Sequence, residues 1–269
     1  VSTDQLPVSI PLRPRSAAVL LLASVAGLLM FCWPLVLRVP PGDGSVEPPF
    51  VFLALLPVLV AVVLAEFTEG GMDAKVLALL GVLSAINAVL RGLSAGTAGI
   101  ELVFFLLILG GRVFGAGFGF TLGCTSLFAS ALLTAGVGPW LPFQMLGAAW
   151  VGLGAGLLPR RVTGKAEIAL LAAYGVVAAY GYGLLMNMSS WPFTLGIEVP
   201  GHSGSLSFVP GDPIAANLHR FLVYTLLTST GSFDTGRAIT NAVAVVVLGP
   251  AVLTTMRRAA RRATVTTTG

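Results

Sequence analysis

Eight residues stand out as candidates for chemistry in this sequence: Asn87, Arg91, Glu101, Trp140, Gln144, Asn187, Trp191 and Asn241. All lie toward the ends of apolar stretches. Their chemistry is recognition, not bond making. Amides and a guanidinium donate hydrogen bonds in fixed directions, and indoles offer flat faces, which together suit a flat, partly polar small molecule. Each has a plainer reading too. Trp is common at membrane interfaces, and an amide can simply cross-link two helices. Arg91 and Asn187 are the best placed, because their stretches bring them to the same expected mouth.

Catalytic signals are missing from the pattern. His202 and His219 share one hydrophilic connection with no paired acid at convincing spacing, so no nucleophile–base arrangement is expected. Cys32 and Cys124 both sit inside apolar runs and read as small buried hydrophobes, not as metal ligands. A phosphate loop needs G-x-x-x-x-G-K-[ST]; the one Gly-Lys pair, Gly164-Lys165, is followed by Ala166 and has Pro159 where the first glycine belongs. The carboxylates Glu66, Glu69, Asp73, Glu101 and Glu167 fall at the ends of apolar runs, whereas ion-coupled carriers place theirs mid-membrane. The expectation is a non-enzyme with no catalytic residue, cofactor or metal. If it moves a solute uphill, another subunit powers it.

The elements that must position these residues are membrane helices. Hydrophobic residues make up 56% of the chain and charged residues 10%, too few to clothe a water-facing surface, so lipid is the main solvent. No basic stripe is interleaved with aromatics, and no nucleic-acid partner is implied. Apolar runs cover Ser16–Leu37, Phe50–Ala65, Val76–Leu90, Leu102–Phe114, Gly117–Thr134, Leu141–Leu158, Ile168–Met188 and Ala238–Met256. The first is too long for a signal-peptide core and is expected to stay as a span. Glu101–Thr134 would make one helix of roughly 50 Å, well beyond the hydrocarbon core, and Gly110-Gly111-Arg112 and Gly115-Ala116-Gly117 break it into two.

Eight spans put both termini in the cytoplasm of a cell membrane. Arg13, Arg15, Lys75, Arg112, Arg160, Arg161, Lys165, Arg257, Arg258, Arg261 and Arg262 then face in, and only Arg38, Arg91, Arg220 and Arg237 face out. The segment 189–235 is expected to be a mostly irregular external connection, with Ile214–Ser229 as an interfacial helix or partial re-entry. Residues 1–15 form a cytoplasmic lead-in, and 259–269 a polar cytoplasmic tail.

Small residues recur at four-residue spacing in Val76–Leu90, pairing Gly81 with Ala85 and Ser84 with Ala88. Such a face lets a second helix approach closely, either a partner subunit or another helix of the chain. Gly115–Gly123 follows an apolar helix and not a strand, so close helix packing accounts for it better than nucleotide binding.

Three stretches, LALLGVLSAINAVLR at Leu77–Arg91, FFLLILGGRVFGAGFGFTLGCTSLF at Phe104–Phe128 and GVGPWLPFQMLGAAWVGLGAGLL at Gly136–Leu158, together with the SFDTGRAITN start of Ser232–Arg258, resemble the substrate-specific S-component of energy-coupling factor (ECF) transporters. The resemblance spans residues 75–258. It implies an all-α polytopic bundle with a six-helix core, here preceded by an additional helical pair at 16–74. It also implies a transmembrane coupling subunit and ATPase subunits as partners, a vitamin or vitamin precursor as ligand, leaning toward a cobalamin type, and Gly92–Gly99 as an external gate. Partner docking would fall to Gly81, Ser84, Ala85 and Ala88, and ligand contact to the eight residues named at the outset. The alternative is a self-sufficient carrier or facilitator for a small solute.

Overall fold

The computed structural model describes residues 14–36, 58, 74–93, 99–194, 196, 199 and 203–264. Among these, every regular element is helical. Helix α1 is Pro14–Phe31, α2 the single turn Trp33–Val36, α3 Ala74–Leu93, α4 Val103–Phe114, α5 Ala116–Leu133, α6 Leu141–Leu157 and α7 Gly164–Ser190, the last ending in a 3₁₀ turn at Trp191–Phe193. Helix α8, Ile214–Thr225, runs through a π-helical stretch, Leu226–Asp234, into α9, Thr235–Val247; α10 is Gly249–Thr264. Among the described residues four helices are long and apolar enough to cross a membrane, or five if the bent pair at the C-terminal end counts as one span. Apart from Val58, the expected run Phe50–Ala65 lies outside the described residues.

The break expected within Glu101–Thr134 falls at Gly115, whose φ of 107° suits glycine alone. It leaves α4 only 12 residues long, roughly 18 Å of helix, and every one of its residues is buried. So short a helix survives at the centre of the bundle because α5, α6 and α10 wrap it. The glycines make that possible. A Cβ on Gly111 or Gly119 would collide with the carbonyl of Gly152, one on Gly123 with the backbone of Ala149, and one on Gly156 with Ala116. These backbones meet in direct contact, the arrangement small residues permit between membrane helices.

Arg112 closes this end of the bundle. It is 4% exposed, and a buried charge is tolerable only when paired and hydrogen-bonded. Its Nε donates to Glu167 Oε1 at 2.6 Å, Nη1 donates to the carbonyls of Leu158 and Pro159 at 3.1 Å, and Nη2 donates to that of Val162 at 2.8 Å. Arg257 on α10 donates to the same Glu167 oxygen at 2.6 Å. One carboxylate and two guanidiniums thus tie α4, the α6–α7 turn, α7 and α10 together. In that turn, burial and then the Arg112 charge push the Arg160 guanidinium down from its ordinary value.

Helix α1 belongs to the bundle. Phe31 meets Phe143 edge-on at 4.9 Å, Trp150 donates its indole N–H to Ser24 Oγ at 2.9 Å, and Gly27 abuts Leu146.

Two expectations for the C-terminal third need correction. The single span Ala238–Met256 does not form: the chain bends by 66° between Val247 and Gly249, beside Pro250. Beyond the bend, Leu253, Met256 and Ala260 recur on one buried face while Arg258, Arg261 and Arg262 are exposed. Helix α10 is therefore an amphipathic helix across the arginine-rich end. The second correction is that the helix expected over Ile214–Ser229 does not stop at Ser229 but runs on into α9 from its start at Ile214. From there to Val247 the chain is one continuous helix of roughly 50 Å, so the last span begins well before Ala238. Its outer part, α8, places Phe221 in a small second core with Met188, Trp191, Leu206 and Phe208.

Candidate ligand cavity

At the end of the bundle opposite Arg112, the last turn of α3, the start of α4, the end of α5, the start of α6 and the junction of the π stretch with α9 converge. A cavity of about 450 Å3 lies among them. Its polar wall is Arg91, Glu101, Ser130, Thr134 and Arg237, and its apolar wall includes Ile100 and Phe233.

Each charged side chain is held in place. Arg91 donates from Nη1 to Ser130 Oγ at 3.1 Å and from Nη2 to Gln144 Oε1 at 2.9 Å. Arg237 donates from Nε to Glu101 Oε2 at 2.6 Å and from Nη1 to Asp234 Oδ1 at 3.1 Å. Its guanidinium lies over the rings of Tyr182 and Phe104, 5.0 and 5.7 Å from their centroids. Asp234 is buried, accepts from Ser229 Oγ at 2.8 Å, and packs so tightly on Gly183 of α7 that any Cβ there would strike its carboxylate. The π-helical turn carries Asp234 inward at that point, a local geometry that recurs at functional sites.

Below this layer sit two amides. Asn87, a turn before Arg91, donates to Ser126 Oγ at 3.1 Å, and Asn241, a turn after Arg237, donates to the carbonyl of Glu101 at 2.7 Å. The Oδ1 atoms of both are buried with no hydrogen-bond partner among the described residues. Gly99, at φ 75°, lies against the backbone of Phe233, so the segment entering α4 touches the π stretch with no side chain between them.

A model of the ECF transporter substrate-specific component family matches residues 75–256. The chain belongs to this family. No curated protein and no solved structure matches it. The match begins at α3 and runs to α10, so the substrate-specific component contains every wall of the cavity, whereas α1 lies outside the matched residues.

The candidate residues of this component separate by position. Arg91 and Glu101 line the cavity, Gln144 holds Arg91, and Asn87 and Asn241 lie beneath them. Trp140 is 54% exposed and borders a second cavity of about 300 Å3 with Phe143, Ser189, Ser190 and Phe193. Asn187 donates to Thr225 Oγ1 at 3.4 Å, away from both walls. Trp191 is fully buried, with its indole N–H given to the carbonyl of Leu206 at 2.7 Å, so it serves the second core. Arg237, Ser130 and Thr134 were not among the sequence candidates. The signal for the last two was a pair of hydroxyls one helical turn apart at the end of an apolar run.

The small-residue stripe of α3 also divides. Gly81 and Ala85 are exposed, and among the described residues nothing lies within 4 Å of where a Cβ on Gly81 would be. Ser84 bonds to Thr125 Oγ1 at 2.7 Å and Ala88 is 1% exposed, so these two pack inside the bundle and are closed to a partner.

Proposed function

We propose that this substrate-specific component binds a vitamin or vitamin precursor with high affinity in the 450 Å3 cavity and hands it to an ATP-driven uptake complex. The observation that carries the reading is the cavity itself. It joins ordered charged groups to apolar walls at one end of the bundle, the usual make-up of a small-molecule site.

The polarity of the charges supports the cavity opening outward. Lys75, Arg112, Arg160, Arg161, Lys165, Arg257, Arg258, Arg261 and Arg262 gather at the opposite end, which the positive-inside tendency assigns to the cytoplasm of the cell membrane. The open Gly81–Ala85 face of α3 is the proposed contact for the transmembrane coupling subunit. Gly99 and its contact with Phe233 serve the gate that closes over the ligand; residues 94–98 of that segment lie outside the described ones.

The test is gentle affinity purification from native membranes with mass spectrometry of the proteins that accompany the chain. Recovery of a membrane coupling subunit with ATPases is expected. An intact chain recovered alone, under conditions that preserve other membrane complexes, would instead favour an unpowered carrier.

A further inference from the structure

We infer that Asn87, Tyr182 and Asn241 form a second, deeper part of the site, beneath the charged residues of the cavity, and that it takes a neutral group bearing N–H donors, of the amide, ureido or amino-heterocycle kind; the inference rests on the proposed binding role of this cavity. It is carried by the place of these residues, by the way each amide is turned, and by a phenol whose hydroxyl is unused.

The three residues come from three helices. Asn87 on α3 is four residues before Arg91, and Asn241 on α9 is four after Arg237. Each therefore shares a helix face with an arginine of the cavity wall and lies one turn further into the bundle. Tyr182 on α7 lies against Arg237, whose guanidinium carbon is 5.0 Å from the ring centroid. Phe104 meets the same ring edge-on at 5.0 Å, and Gly147 of α6 packs so closely that a Cβ there would strike it. Asn87 and Asn241 are fully buried, and Tyr182 is 9% exposed.

Both amides are oriented by what they donate to. Asn241 Nδ2 donates to two carbonyls, that of Glu101 at 2.7 Å and that of Arg237 at 2.9 Å. An amide oxygen in that place would set acceptor against acceptor, so Oδ1 is the atom left over. Ser126 Oγ donates to the carbonyl of Gly123 at 3.4 Å and accepts from Asn87 Nδ2 at 3.1 Å, which again leaves Oδ1. Neither oxygen has a partner among the described residues. A buried acceptor without a donor costs stability, and two of them at the foot of one cavity point to donors that arrive with the ligand. The Tyr182 hydroxyl also makes no hydrogen bond among the described residues, although it stands within electrostatic reach of Glu101, Arg237 and Arg91. Two fixed acceptors and a hydroxyl that both donates and accepts complement a group presenting two N–H donors and an acceptor. Glu101 and Asp234 are already engaged by Arg237, which favours a neutral donor over an ammonium.

The experiment uses the full chain in lipid nanodiscs and neutral probe pairs that differ in their N–H donors: nicotinamide against N,N-dimethylnicotinamide, riboflavin against 3-methylriboflavin, and biotin methyl ester against its N-methylated ureido form. At least one N–H probe is expected to bind, and to bind about fivefold or more tighter than its methylated twin, the loss that one hydrogen bond implies. Asn87→Leu and Asn241→Leu should each shrink that ratio. The ratio is read within one variant, so a loss of folded protein, which affects both twins alike, does not mimic the effect. Tyr182→Phe removes only a hydroxyl that holds nothing in the free chain; it should leave the thermal midpoint unchanged and weaken the N–H probe by several-fold. Equal binding of the twins by the unaltered chain would overturn the inference. So would a ratio that survives all three substitutions, which would mean that the amides hold only buried water. A chain that still recruits its coupling and ATPase subunits yet binds none of the N–H probes would overturn it as well. Failure to recruit those subunits would instead strike at the transport reading.

Discussion

Arg237 on α9 reaches Glu101, immediately before α4, across 136 positions of sequence and holds it at 2.6 Å, while its other arm holds Asp234 in the π stretch. The pair joins the segment that leads out of the proposed gate to the last membrane helix. Both side chains are mostly buried, so the attraction is screened less than on an open surface. If the pair latches the gate, Glu101→Gln should leave the bundle folded but speed release of a bound ligand by several-fold. A double-mutant cycle with Arg237→Gln should give a coupling of about 0.5–3 kcal/mol, the range for residues in direct contact. Stopped-flow release together with equilibrium binding would measure both; additive effects of the two substitutions would rule out the latch.

At the other end, Glu167 serves Arg112 and Arg257 through one oxygen. Removing its charge strands a buried guanidinium, which costs about 3–5 kcal/mol when a buried pair is broken. Glu167→Leu is therefore expected to lower the thermal midpoint in detergent sharply. Arg257→Gln, which leaves the Arg112 pair intact and is itself partly exposed, should lower it far less. Thermal scans of the two variants side by side check this order.

How much of this arrangement was readable beforehand depends on how local its cause is. The break near Gly115 was legible from a length argument and the Gly115-Ala116-Gly117 signal close together, whereas Gly110-Gly111-Arg112, also expected to interrupt the helix, stays inside α4. The burial of Arg112 was not, since its four acceptors come from residues 158–167, far along the chain. The cavity shows the same division. Arg91 and Glu101 stood out as charges bordering apolar runs, but Arg237 looked like one more outward-facing charge until α9 set it against Glu101. The continuation of α8 into α9 escaped notice because Thr230, Gly231 and Ser232 read as a loop. In the structure, hydroxyls bond back along the chain, Thr228 to Tyr224, Ser232 to Thr228 and Thr235 to Thr230, and carry the helix through that polar stretch.

The contact between α5 and α6 gives a third prediction. Gly119 and Gly152 each occupy the space a Cβ on the other would need. Gly152→Ala should therefore force the two helices apart, at a cost of about 1–3 kcal/mol as in other overpacked cores. Gly81→Ala on the open face of α3, where a Cβ meets nothing within 4 Å, should be tolerated. A melting comparison in one detergent separates the two; helix propensity alone would favour Ala at both sites, so a loss confined to Gly152→Ala reports packing and similar losses would overturn the contact argument.

The open face of α3 supplies the last prediction. Gly81 and Ala85 are exposed one turn apart, flanked by the exposed apolar side chains of Val82 and Ile86, while Ser84 and Ala88 are closed against α5. A surface so flat and apolar suits close approach by a helix from another subunit. Ala85→Trp is expected to block that approach, so coupling and ATPase subunits should be lost on co-purification and uptake by whole cells should fall to background. Ligand binding by the isolated chain should stay within about twofold of the wild type, because the substitution lies on the exposed side of α3, away from the side chains that bond Arg91, and surface changes of this kind rarely move stability by more than about 0.5 kcal/mol. Ala88→Trp, by contrast, introduces an indole into a buried position and should damage binding and assembly together. A docking role for this face is excluded if Ala85→Trp retains the full complex, or if it loses probe binding in parallel with assembly.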